Sequence, residues 1–190
     1  MSEERALPGA GLPAFERGVA NVVMRVGSRL LPRSRVVGMI DAESRRVVDM
    51  CGVFSSELGM QRVLIDRIMG IEDNSRDWSA YMTLQHMCIV NEAMVGILQA
   101  LDGGAEFDRE VRIQDVKPAA DAGPECVQTF QTSVEGLQQC IAGIQQPVSA
   151  KTQAHPWFGE MNARQWTLLA GVHLRIHRKQ IESIRSSLRL

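Results

Sequence analysis

Apolar residues recur at three- and four-residue steps in five separated segments, and no stretch of any length alternates as a strand would. That spacing returns once per helical turn, so each segment carries its apolar residues on one face. A chain built of such stripes buries them by packing helix on helix. The first segment runs from Phe15 to Leu31, with Phe15, Val19, Val22, Val23, Val26 and Leu30 in its stripe and Pro32 ending it. Asp41 is the expected N-cap of a second helix reaching about Met69, interrupted by Gly52 and Gly59. Trp78-Ser79 opens a third, with Ser79 as cap and Asp102-Gly103-Gly104 as stop. Residues 125–145 form a fourth, ended by Pro147, and Asn162 caps a fifth from Ala163 to about Leu188.

The expected fold is therefore all-α: a four-helix bundle over residues 41–190, with a long connection over residues 102–123, preceded by an arm and an extra helix over residues 1–40. Residues 1–13, with Pro8 and Pro13, read as a loose arm. A chain of 190 residues is long enough for one sizeable core.

Composition narrows the partners. The net charge is −1, from 21 basic and 22 acidic side chains, so neither nucleic acid nor a membrane is expected as partner. No run reaches the roughly 18 apolar residues of a membrane-spanning helix, and the N-terminus lacks the apolar core of a secretory signal. Arg17, Arg25, Arg29, Arg33 and Arg35 admit a transit-peptide reading, but Glu16 argues for an extra helix instead. Cys51, Cys88, Cys126 and Cys140 form no CxxC pair and match no zinc-finger spacing, which suits buried thiols in the cytoplasm.

The chemistry concentrates in histidine. Two of only four histidines, His173 and His177, sit four residues apart on the last helix, about 400° of rotation, so both rings share a face. Two such imidazoles can grip one transition-metal ion, and His86 on the third helix is the candidate third ligand. An open three-histidine site leaves a coordination position for water or substrate. Imidazole suits Zn, Ni, Fe and Cu, so the ligands alone do not choose the metal. The pair is not HExxH, because Leu174-Arg175 stands where a zincin carries its Glu, and a zinc protease is disfavoured. Cys88 and Glu92 lie about 200° and 240° around the helix from His86 and are set aside as ligands. The competing account is a chance helical pair in a purely structural bundle.

The segment HPWFGEMNARQWTLLAGVHLRIHRKQIESI resembles the C-terminal signature of the DinB-like, YfiT-type metal-binding bundles: a loop HP-x-FG, a Trp, then H-x-x-x-H followed by Gln. Here these are His155 to Gly159, Trp166, His173, His177 and Gln180. A Trp-Ser helix opening followed by a single His, Trp78-Ser79 and His86, matches the second signature in the expected order, and the likeness covers about residues 42–188. The resemblance implies one divalent metal (Zn, Ni or Fe) on His86, His173 and His177, and a four-helix bundle with a long crossover. It also implies pairing as a homodimer, for which the N-terminal valine stripe is the expected interface. Members of this family include transferases and isomerases that use low-molecular-weight thiols. The implied function is a metal-dependent thiol S-transferase; the alternative is a non-catalytic metal-stapled binding or stress-response protein. By the same analogy His155 shapes the loop entering the last helix, with a proton shuttle over the metal as the other reading.

Around the three histidines, positions three or four residues away hold no Asp or Glu, and Thr83 and Gln180 are the only polar neighbours. That favours a thiol or small-molecule site over water activation, unless a loop brings in a base. Trp78, Trp157 and Trp166 are expected as core, and Arg178 as a partner for an acid.

Overall fold

The computed structural model describes residues 11–103, 107, 110–148 and 150–189. Most of the expected arm, and Gly104 of the expected stop, lie outside the described residues. The chain is mostly helical. Helix α1 (Ala14–Val22) passes through a widened π turn (Val23–Gly27) into the short α2 (Ser28–Leu30), and Pro32 separates it from α3 (Arg33–Cys51). A one-turn helix α4 (Ser56–Met60) follows, then α5 (Ala80–Leu101), α6 (Cys126–Gly143) and α7 (Ala163–Ser187). Helix α5 packs on α6 and α7, and α3 packs on α7 and α6, so these four long helices enclose one core.

The caps explain where the two site-bearing helices begin. Ser79 accepts the Met82 N–H at 3.1 Å and starts α5. Asn162 starts α7 with a capping box, its side chain accepting from Gln165 N–H while the Gln165 side chain accepts from Asn162 N–H. Helix α5 is apolar on nearly every side, with Leu84, Met87, Ile97 and Leu98 all buried, as befits the helix between two neighbours.

Three expectations fail here. Asp41 does not cap a helix: it lies inside α3, which starts directly after Pro32, whose extended backbone and missing N–H break the helix before it, and residue 40 is therefore mid-helix. The expected helix to Met69 ends at Cys51, since the Gly52-Val53-Phe54 stretch turns away before Ser55 caps α4. Strands also exist, although short: β1 (Val63–Leu64) pairs antiparallel with β2 (Asp77–Trp78), and β3 (Gln153–His155) with β4 (Gly159–Met161). Two- and three-residue strands carry too little alternation to be read from periodicity. The second hairpin turns through Gly159 at φ +68°, a left-handed conformation that favours glycine.

Candidate metal centre

His86 projects from α5, and His173 and His177 from α7, at the contact between the two helices. One ring nitrogen from each falls within 4.8 Å of the others, with ring centroids 4.4–5.0 Å apart. The three rings that the spacing singled out thus meet, and such a cluster can hold a metal ion.

Hydrogen bonds fix which nitrogen of His86 and of His177 faces the centre. His86 Nδ1 lies 2.6 Å from the Val116 carbonyl, which can only accept, so Nδ1 carries the proton and Nε2 keeps a bare lone pair. Gln180 Nε2 donates to the Ser75 carbonyl at 2.7 Å, which turns its Oε1 toward His177 Nδ1, also at 2.7 Å. His177 Nδ1 must then donate, and its Nε2 is left free. His86 Nε2 stands 3.1 Å from His173 Nε2. With His173 Nδ1 unpartnered, its Nε2 can donate to His86 Nε2 or, as the other tautomer, offer a lone pair to an ion beside those of His86 and His177. A backbone carbonyl on one imidazole and a side-chain amide on another are the kind of partners that orient metal-binding histidines. His173 Nδ1 is buried without a hydrogen-bond partner among the described residues, so packing and the Nε2 contact with His86 orient that ring.

Burial pushes all three imidazoles toward the neutral, ligating form. His86 and His173 are held well below the ordinary histidine range, by desolvation first and then by neighbouring imidazoles, and His177 is lowered to about 4, chiefly by burial.

The centre opens onto a cavity of about 140 Å³ walled largely by apolar side chains, among them Met94, Ile97, Val172 and Ile176. The tryptophans expected as core are buried or half-buried, and they also form the cavity wall. The Trp78 ring stacks on His177 at 14° with centroids 6.4 Å apart and lies 5.1 Å from His86. Trp166, buried, and Trp157 line the cavity as well. His155 lines it too. Its Nδ1 accepts the Trp157 N–H at 3.1 Å, its ring stacks on Phe158, and burial lowers its pKa to about 4. The first of these contacts fits the loop-shaping reading.

Loops supply the charged groups that helix spacing could not reveal. Glu72, buried, faces the cavity and accepts from Lys117 Nζ at 2.6 Å and from Gly11 N–H at 3.0 Å. Lys117 Nζ also donates to Asn74 Oδ1 and Ser75 Oγ, and sits 5.4 Å above the Trp78 ring. The shell is therefore less apolar than the helical neighbours suggested: a carboxylate–ammonium pair, Glu72 buried and Lys117 half-buried, adjoins it. The one hint in the sequence was the length of the 102–123 connection, which carries both Val116 and Lys117. Cys88 and Glu92 stay away from the centre, since Cys88 is buried toward Ser133 of α6 and Glu92 is exposed. Arg178 finds its acids in Glu43 and Glu182.

No protein-family model, no curated protein and no solved structure matches the chain.

Proposed function

We propose that this chain is a DinB-like four-helix bundle with a long crossover between α5 and α6. In this reading His86, His173 and His177 hold one divalent transition metal, and the centre acts on a low-molecular-weight thiol as a metal-dependent S-transferase. The observation that carries the metal is the convergence of three imidazoles whose Nδ1 or packing partners leave ring nitrogens aimed at one point. The observation that favours turnover over a mere staple is the cavity against the centre. A metal there lowers the pKa of a thiol or water at its open position. The chain's own residues do the rest. Trp78 and Trp166 exclude water from the thiol. Val116 and Gln180 orient the rings. The Glu72–Lys117 pair gives the apolar wall a polar anchor for the substrate.

Elemental analysis of protein purified without chelator tests the metal: about one ion per chain is expected, and none in His173→Ala. Retention of full metal content by that variant sinks the site. Thiol-dependent consumption of an electrophile, abolished in His86→Ala, tests the chemistry. A metal-loaded protein inert with a broad panel of thiols removes the transferase reading and leaves the binding one.

A further inference from the structure

The amphipathic segment from α1 through α2 is built with its apolar face outward. Along α1, the π turn and α2, the side turned to the protein carries Glu16, Ala20, Asn21, Met24, Gly27 and Ser28, with Met24 only 2% exposed. The valine stripe lies on the other side. Phe15 and Leu30 are each 74% exposed and Val22 61%, and Val19, Val23 and Val26 are exposed as well. The stripe expected to pack is thus a continuous apolar face in solvent, and Leu31 extends it.

The charges beside that face have one sign: Arg25 and Arg29 flank it, and both are exposed. The single acid of the segment, Glu16, is turned inward, where Arg67 and the Gly70 N–H (3.0 Å) hold it. The whole-chain balance of −1 conceals this segregation. A second copy laid on the same face would set arginine against arginine with no free acid on either helix to pair with them. An anionic lipid surface offers what both parts of the face lack, hydrocarbon for the stripe and phosphate for the arginines.

We propose that α1 through α2 docks this protein peripherally on anionic membranes, apolar face down. No described helix is long and apolar enough to cross a membrane, so the helix lies on the surface rather than spanning it. The same segment roofs the cavity from within: Leu12 and Met24 line it, and Asn21 Nδ2 donates to the Trp157 carbonyl at 3.3 Å. Docking therefore sets the cavity one helix away from the bilayer.

The test is flotation of the full chain with vesicles of phosphatidylcholine alone and of phosphatidylcholine with one quarter phosphatidylglycerol. Wild type is expected to float with the anionic vesicles, much less with the neutral ones, and less in high salt. Val22→Asp/Val26→Asp and Arg25→Glu/Arg29→Glu should each lower partitioning by about tenfold or more, with unchanged circular dichroism and metal content. Wild type that stays behind with anionic vesicles overturns the proposal, as do variants that float equally well. A dimer in light scattering that Val22→Asp/Val26→Asp dissociates, without vesicle binding, overturns it in favour of a second copy. Metal content is read separately, so failure here leaves the metal centre untouched.

Discussion

Helices α1 and α7 look alike as sequences and behave oppositely as structure. Each carries an apolar stripe at helical steps. Helix α7 turns its stripe into the core, with Leu174, Ile181 and Ile184 fully buried and two histidines carried along on the buried side. The segment from α1 through α2 turns its stripe to solvent and packs through residues such as Ala20, Met24 and Ser28. The difference teaches that periodicity creates a face but does not say what covers it. Where the inward side is small or already matched, as at Gly27 against Leu168, a helix can seat itself by its narrow side.

The contrast can be broken or sharpened by perturbing each helix in turn. Leu174→Ala should have the largest effect, about 2–5 kcal/mol of destabilisation in urea unfolding, because it opens a cavity in the core of α7. A smaller loss would mean that α7 collapses around the void and is held less rigidly than its burial suggests.

Next comes Gln180→Leu, which removes the acceptor of His177 Nδ1 and the donor to Ser75. Metal affinity should fall about 10–100-fold in a chelator competition while all three ligands remain. An unchanged affinity would show that packing alone orients His177 on α7.

Acid should then act on the α7 side and spare α1. His155 and His177 have folded pKa values of about 4, below the ordinary 6.5, so between these values the unfolded chain binds protons that the folded one does not. The stability of the metal-free protein is therefore expected to fall as pH drops from about 6.5 toward about 4, and to be level above that window. Urea melts at several pH values check this, and His155→Phe should flatten part of the slope.

The smallest effect is expected at α1. Val22→Asp should shift folding stability by less than about 0.5 kcal/mol, because the side chain is solvated already. A loss as large as that of Leu174→Ala would show that α1 buries its stripe in solution.

The legible part of the site was the part set by one helix. His173 and His177 share a face by rotation alone, and Ser79 and Asn162 announced the starts of α5 and α7 by cap chemistry. The illegible part arrives from loops. Glu72 sits in a turn and Lys117 in a connection without periodicity, 45 residues apart, so no spacing rule joins them. The same limit hid the cap at Pro32, where Asp41 offered a better-looking local signal than the chain used.

By itself the sequence determined the helical character, the ends of α5 and α7, and the pairing of two imidazoles on one face, because each follows from contacts within a few residues. Only the tertiary structure decided that His86 completes the trio, that a carboxylate–ammonium pair stands beside it, and that the α1 stripe faces out. Those outcomes depend on which surfaces meet across the core, and a residue's neighbours along the chain carry no record of that.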